Sequence, residues 1–197
     1  PCQTVTVQRA SGPLTVLTPL LGAHQATNLA VALGLIELLR TQGFVVGDEA
    51  VRTGCRAVSW PGRLQLAGTR PWLVLDAAHN EPAAKALAAT LPGLLEYDRL
   101  IAVLGLSAEK DALGFCHELA PLTEVAVLTQ AQISRALPAE DLARVTGHLW
   151  RESRRVPDTA AALRLARHLA GPRDCVLVTG SFYVVGEAME CLGLEVV

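Results

Sequence analysis

The chain has 197 residues, of which 51% are hydrophobic and 4% aromatic, and its formal net charge at pH 7 is −2. It has no basic stripe for nucleic acid, and its apolar stretch over residues 29–39 is much shorter than the roughly 20 residues of a membrane span. The five cysteines are odd in number, dispersed and without a C-x-x-C pair. This pattern argues against a disulfide framework or a zinc site and favours a reducing, cytoplasmic setting.

The first 59 residues predict a β-hairpin followed by two helices. Strands are expected over residues 4–8 and 14–18, and helices over 23–41 and 48–58. The first helix is apolar almost all round, so we expect it to be buried on more than one side. Asp48 is the expected cap of the second helix. Trp60-Pro61-Gly62 breaks the pattern, and we place a domain boundary there, between domains 1–59 and 60–197.

From Arg63 onward, short apolar runs alternate with helical patterns. Strands are expected over 63–67, 72–76, 100–104, 124–129, 154–156 and 175–179. Helices are expected over 82–95, 112–119, 139–150, 159–169 and 183–191. This alternation predicts an α/β fold, namely a Rossmann-like, doubly wound, mostly parallel sheet with helices on both faces.

Polar residues follow the strand over 72–76, which ends at Asp76 and leads into a helix with Asn80 as its expected cap. Open α/β sheets bind ligands at the carboxyl ends of their strands. Asp76 there can accept hydrogen bonds from ribose hydroxyls, and His79 can face the same crevice. Arg63 offers a planar charged fork for a phosphate. The alternatives are that Asp76 only caps the turn and that Arg63 is a solvated edge charge.

Three polar residues at the start of the long first helix, His24, Gln25 and Asn28, form a further candidate group. His24 and Asn28 share one helix face. The amide of Asn28 can both donate to and accept from an adenine edge. The alternative for this group is polar packing of a buried helix against its neighbours.

The last two candidates lie after later strands. Ser181 follows a strand and Gly180 and begins a helix, so this helix N-terminus can hold an anion such as a carboxylate. A simple N-cap is an equal alternative. Lys110 and Asp111 sit at a strand's carboxyl end and can line the same cleft, although such residues more often form a solvated loop.

Four motifs together resemble the C-terminal half of folylpolyglutamate synthase and of bifunctional dihydrofolate synthase, in the Mur ligase superfamily. They are LGAHQATN (21–28), WPGR (60–63), LDAAHN (75–80) and VTGSFYVVGE (178–187). The resemblance implies an ATP- and Mg²⁺-dependent ligase that joins L-glutamate to a folate or dihydropteroate carboxylate through an acyl phosphate. The charge and the short apolar stretch, rather than the resemblance, lead us to expect no nucleic-acid or membrane partner.

The resemblance also implies roles for individual residues. Asn28 would contact the adenine, Asp76 the nucleotide, and Arg63 the phosphates of ATP from across a domain interface. His79 would lie near the incoming glutamate, and Ser181 would border the glutamate site. The family's usual Asp-Gly-Ala-His-Asn-Pro is Asp-Ala-Ala-His-Asn-Glu-Pro in this chain, which shifts the proline at the helix start by one residue.

A phosphate-binding G-x-x-x-x-G-K-[ST] motif is absent from the sequence, and no magnesium-binding carboxylate is identifiable. The resemblance places both in a central domain upstream. Because the sequence starts at Pro1 rather than Met, we expect a fragment whose residues 1–59 end the ATPase domain and which is inactive alone. Two alternatives are a Mur-type peptidoglycan-precursor ligase domain and a non-catalytic nucleotide-binding module. The Gly-x-His-Gln motif and the lack of G-x-G-x-x-G argue against them.

Overall fold

The structure is a computed structural model that describes residues 1–195, and the chain divides into two compact units that meet between Trp60 and Pro61. In the first unit, strands β1 (Gln3–Val7) and β2 (Leu14–Thr18) form an antiparallel hairpin. Helices α1 (Ala23–Thr41) and α2 (Asp48–Ala57) follow. The small core of this unit consists of Leu14, Val16, Leu33 and Val51.

Helix α1 differs from the prediction that it is buried on more than one side. Within the described residues, Val31, Leu35 and Leu38 remain 57–62% exposed. The prediction that Asp48 caps α2 is also wrong, because Gly47 is the N-cap residue and no side chain caps the helix. The carboxylate of Asp48 instead accepts two hydrogen bonds from Arg9, both 2.9 Å long. These bonds lower the pKa of Asp48.

The second unit contains a sheet whose strands are ordered β3-β4-β8-β5-β6-β7. The strands are β3 (Gln65–Thr69), β4 (Trp72–Asp76), β5 (Leu100–Leu104), β6 (Thr123–Leu128), β7 (Glu152–Arg155) and β8 (Cys175–Thr179). The helices are α3 (Glu81–Leu94), α4 (Ala112–Leu119), α5 (Ala139–Thr146), α6 (Thr159–Leu169) and α7 (Phe182–Cys191). Only β3 runs antiparallel to its neighbour. The predicted doubly wound, mostly parallel sheet is therefore confirmed.

The direction of the connections puts helices on both faces of this sheet. The chain moves from β4 through β5 and β6 to β7, then returns across the sheet to β8. Because parallel crossovers are right-handed, the return from β7 to β8 puts α6 on the face opposite α3, α4 and α5, and α7 shares its apolar core with α6. The face of the sheet that carries α6 and α7 has a continuous apolar core, in which residues of β4, β5, β6 and β8 pack against these two helices. Helices within residues 1–195 are too short or too polar to cross a membrane.

Element boundaries differ from prediction where turns intervene. Strand β3 starts at Gln65 rather than Arg63 because Leu64 has a φ of 44°, which strands do not allow. The helix predicted over 139–150 ends at Thr146 and continues as one 3₁₀ turn. The cap of α3 is as predicted, because Asn80 accepts a hydrogen bond from the Ala83 amide at 3.0 Å.

Candidate functional site

Asp76 ends β4 and holds the preceding turn in place. Its side chain is 5% exposed, and its two carboxylate oxygens accept from the amides of Leu64 and Ala78, each at 2.9 Å. The carbonyl of Gly62 accepts from the Ala77 amide at 2.8 Å, which fixes the turn a second time. The Asp76 carboxylate and the Ala77 amide together therefore fix the backbone on both sides of Arg63.

The Arg63 guanidinium and the His79 ring both lie against the Phe182 ring at this end of the sheet. The guanidinium carbon of Arg63 lies 5.0 Å from the ring centroid of Phe182, and the His79 ring lies 5.2 Å from the same ring. Nδ1 of His79 is 3.0 Å from the carbonyl oxygen of Ala77. Phe182 is 51% exposed, and Arg63 and His79 beside it are partly exposed.

Ser181 is buried and serves as the N-cap of α7, where its hydroxyl accepts from the Tyr183 amide at 3.1 Å. Gly180 precedes it with a φ of 106°. A Cβ atom at Gly180 would lie 2.6 Å from the carbonyl oxygen of Gly105, after the neighbouring strand β5. The close backbone approach of the two glycines sets the first turn of α7 against the carboxyl ends of β5 and β8. That turn carries the positive end of the helix dipole.

The predicted cleft residues Lys110 and Asp111 lie in the loop after β5. Asp111 is the N-cap of α4, and its carboxylate accepts from the Gly114 amide at 2.9 Å. The Lys110 amide donates to the carbonyl of Ser107 at 3.1 Å. Both residues lie at the side of the sheet formed by the carboxyl ends of its parallel strands, hereafter the carboxyl edge, as their position in the sequence predicts. Their role in a cleft stays a prediction.

His24, Gln25 and Asn28 lie together in the first two turns of α1, in the first unit. Nδ2 of Asn28 donates to Oε1 of Gln25 at 3.2 Å, and Asn28 itself is exposed. Nδ1 of His24 is buried and has no hydrogen-bond partner within residues 1–195. The predicted contact of Asn28 with adenine stays a prediction.

Sequence reasoning missed three residues that complete the carboxyl edge. Phe182 and Tyr183 are exposed aromatic residues at the start of α7. Arg135 belongs to the loop after β6, and its guanidinium carbon lies 4.8 Å from the Tyr183 ring centroid. The rule that drew attention to Asp76, namely that ligands bind at the carboxyl ends of parallel strands, applies equally to the loop that carries Arg135.

The ionisable groups of this unit indicate which chemistry it supports. Burial raises the pKa of the Cys116 and Cys175 thiols to about 12, so neither is a thiolate at neutral pH. Arg63 and Arg135 form no ion pair with a carboxylate within the described chain. Two guanidinium groups stacked on neighbouring residues of a helix N-terminus favour the binding of anions such as phosphates and carboxylates.

Comparisons with known proteins agree on one family. The family model described as "Mur ligase, glutamate ligase domain" matches residues 62–182. The chain is 41% identical over 185 residues to a probable bifunctional folylpolyglutamate synthase/dihydropteroate synthase of Haloferax volcanii, covering 93% of this chain and 22% of that protein. It is 32% identical to the dihydrofolate synthase/folylpolyglutamate synthase of Mycobacterium tuberculosis, covering 91% of this chain and 40% of that protein.

Solved structures give the same result. A crystal structure of Mycobacterium tuberculosis folylpolyglutamate synthase, complexed with ADP and AMPPCP, matches with a TM-score of 0.84 and 30% identity over 96% of this chain and 47% of that one. A bifunctional folylpolyglutamate synthase/dihydrofolate synthase with Mn, AMPPNP and L-glutamate bound matches with a TM-score of 0.80 and 32% identity, over 95% of this chain and 44% of that one. This chain thus spans less than half the length of each of these relatives, and the resemblance seen in its motifs is confirmed.

Proposed function

Because the chain belongs to the Mur ligase family and carries its glutamate ligase domain, we propose that it is the C-terminal part of an ATP-dependent folate ligase. The reaction joins L-glutamate to the carboxylate of a folate or dihydropteroate. The observation that carries this proposal is the group formed by Arg63, His79 and Phe182 at the carboxyl edge, beside the first turn of α7. This edge lies within the matched segment and presents positive charge and ring nitrogens.

The proposed chemistry has two steps. ATP transfers its γ-phosphoryl group to the folate carboxylate, which gives an acyl phosphate and ADP. The neutral amine of glutamate then attacks the acyl carbon and the new amide bond forms. The nitrogen releases a proton, and inorganic phosphate leaves with the electrons of the broken C–O bond. Shielding of the acyl phosphate from water favours attack by the amine over hydrolysis.

Each candidate residue has a proposed part in this reaction. Arg63 holds the transferring phosphate through its charged fork. Asp76 fixes the turn of Arg63 and accepts from a ribose hydroxyl, while Asn28 binds the adenine. His79 and Ser181 border the glutamate. His24, Gln25, Lys110 and Asp111 stay candidate residues, and no chemical step is assigned to them.

Magnesium does not fit the residues that the structure describes. Residues 1–195 contain no group of three or more His, Cys, Asp or Glu side chains that could hold a metal ion. We therefore derive no step through Mg²⁺ in this chain, and propose that its ligands and the P-loop lie upstream in the complete protein. On this basis the 197-residue chain alone is inactive. The five free cysteines suit a cytoplasmic enzyme.

The proposal assigns residues 1–59 to the end of an ATPase domain and residues 60–197 to the ligase domain. The exposed apolar face of α1, with Val31, Leu35 and Leu38, supports this assignment because such a face is normally covered. The peptidoglycan-precursor ligase and the non-catalytic module are not favoured, since the relatives named above are folate ligases.

The test is phosphate release by the full-length protein with ATP, glutamate and a folate or dihydropteroate. We expect Arg63→Ala to lower kcat/KM, with a loss of about 2–4 kcal/mol of transition-state stabilisation. Arg63→Lys should restore this loss only partly, because a point charge does not reproduce the fork. Arg164→Ala, which removes an exposed arginine on α6, is the matched control. Glutamate-independent phosphate release, or unchanged kinetics in Arg63→Ala, would contradict the proposal.

A further inference from the structure

Arg135 makes a two-part contact with Tyr183 at the carboxyl edge. Its guanidinium stacks over the ring at 4.8 Å, and Nη2 donates a hydrogen bond to the Tyr183 hydroxyl at 2.6 Å. Stacking and hydrogen bonding together fix the plane and the direction of the guanidinium. An exposed arginine is usually free to sample many rotamers, so this one is unusually well oriented for a surface charge.

The backbone that carries Arg135 is held from two sides. Its carbonyl accepts from the Ala108 amide at 2.9 Å, and the Leu137 amide donates to the Leu106 carbonyl at 2.8 Å. These bonds join the loop after β6 to the loop after β5. On the other side, the Gln132 amide donates to Glu187 of α7 at 2.6 Å. Tertiary hydrogen bonds to two separate elements, the loop after β5 and helix α7, therefore hold the loop that carries Arg135.

This fixed charge has capacity for a ligand. The guanidinium has five N–H donors, of which one is used by the Tyr183 hydroxyl. Among the acidic side chains within residues 1–195, none forms an ion pair with Arg135. An oriented guanidinium without a carboxylate partner, at the edge where open α/β sheets bind ligands, is suited to bidentate binding of a carboxylate.

Arg135 and Arg63 lie against consecutive residues at the start of α7, Tyr183 and Phe182. Consecutive helical residues point about 100° apart, so the two guanidinium groups contact different sides of the helix start. A ligand that reaches both must carry two separated negative groups. The acyl phosphate beside Arg63 and an acidic side chain of the incoming amino acid meet this requirement.

We propose that Arg135 determines specificity for a dicarboxylic amino acid by binding its side-chain carboxylate, and that Tyr183 positions the guanidinium. This inference rests on the proposed function, because it names the group that selects the acceptor amino acid at the same edge. Neutral amino acids of the same shape lack the charge that Arg135 binds. The discrimination between glutamate and glutamine then depends on this residue.

The experiment compares glutamate with glutamine as acceptors in the full-length protein. Arg135→Gln should lower the ratio of kcat/KM for glutamate to that for glutamine by about tenfold or more, because a charge-assisted bidentate bond is lost. The loss should appear in KM for glutamate, with kcat and KM for ATP changed less than about twofold. Arg135→Lys should keep part of the preference. Tyr183→Phe, which retains the ring, should cost a smaller part of it.

Arg164→Gln on α6 is the matched control and should leave the ratio unchanged. A thermal melt of each variant separates misfolding from lost recognition, since a merely structural Arg135 would change stability and not the ratio. An unchanged glutamate-to-glutamine ratio in folded Arg135→Gln overturns this inference alone. If the wild-type protein itself adds no glutamate, the proposed function fails instead, so the two failures are distinguishable.

Discussion

Two buried aspartates lie at opposite ends of the parallel strands of one sheet, and the groups that the structure shows bonded to them differ. Asp174, just before β8 at the amino edge, is 4% exposed and accepts from Nη2 of Arg99 at 2.6 Å. Asp76, at the carboxyl edge, is bonded by the backbone amides of Leu64 and Ala78. The first carboxylate pairs with a side-chain charge. The second fixes a turn whose arginine, Arg63, has no acidic partner in the described chain.

The same contrast extends to the residues around them. At the amino edge, Arg173 donates to Asp98 at 2.8 Å, so a second ion pair joins the loops before β5 and β8. At the carboxyl edge, the hydroxyl of Thr129 is buried without a hydrogen-bond partner within residues 1–195. The amino edge satisfies its polar groups internally, whereas the carboxyl edge leaves charges and a hydroxyl unused. We infer that the first edge serves stability and the second serves binding.

The largest expected effect tests the close backbone approach of Gly180 and Gly105 at the carboxyl edge. Gly180→Ala places a Cβ 2.6 Å from the Gly105 carbonyl oxygen at a φ of 106°, so we expect a loss of about 3 kcal/mol or more in the free energy of unfolding. Gly171→Ala is the amino-edge control, because its Cβ would make an ordinary 3.5 Å contact with Asp174. Urea unfolding of both variants checks this. Equal losses would contradict the difference in packing between the two edges.

The next effect is the pH dependence of the amino edge. Burial alone raises the pKa of Asp174, but hydrogen bonds from Arg99 and Gly171 outweigh it and lower that pKa. The usual aspartate pKa is about 3.9, so the stabilisation is present above this pH and is lost as the pH falls below it. Asp174→Asn should therefore destabilise the protein at pH 7, by about 2 kcal/mol.

Melting temperatures between pH 7 and pH 3 check this prediction. The difference between wild type and Asp174→Asn should shrink as the pH falls. If the difference is constant across this range, the ionised carboxylate of Asp174 does not stabilise the amino edge.

A smaller effect compares two buried threonines at opposite ends of β6. Thr123 at the amino end donates to the Leu119 carbonyl at 2.9 Å, whereas the Thr129 hydroxyl at the carboxyl end has no partner within residues 1–195. Thr129→Val should stabilise the protein by about 1 kcal/mol, and Thr123→Val should destabilise it by a similar amount. Chemical denaturation measures both. Destabilisation by Thr129→Val would show that its hydroxyl is satisfied after all.

The central strands and long helices could be predicted from the sequence because the spacing of their apolar residues indicates which faces are buried. Strands β4, β5 and β8 are continuous apolar runs, as expected for parallel strands covered on both faces. Their boundaries match the predictions. The edge strand β3 was misplaced by two residues because a positive φ at Leu64 has no signal in the sequence. The antiparallel direction of β3 follows from its two-residue connection to β4, since parallel strands need a crossover of about a dozen residues or more.

The candidate site could be predicted only in part, for a similar reason. Asp76 ends β4, and Lys110 and Ser181 lie in the segments that follow β5 and β8, so the carboxyl-edge rule locates them. The contacts of Phe182 with Arg63 and of Arg135 with Tyr183 join segments far apart in the chain. Such contacts depend on the path of loops, which residue spacing does not encode. The roles of the predicted residues in binding stay predictions.

The most direct test of the contrast between the edges is a kinetic comparison of Asp76→Asn with Asp174→Asn in the full-length protein. Both variants are assayed at pH 7 and at a temperature where melts show each to be folded. We expect Asp76→Asn to lower kcat/KM for ATP tenfold or more, because an amide nitrogen cannot accept from Leu64 or Ala78 and the turn of Arg63 loosens. Asp174→Asn should retain kcat/KM within about twofold despite its lower stability. Equal losses of activity in the two variants would contradict the assignment of binding to the carboxyl edge.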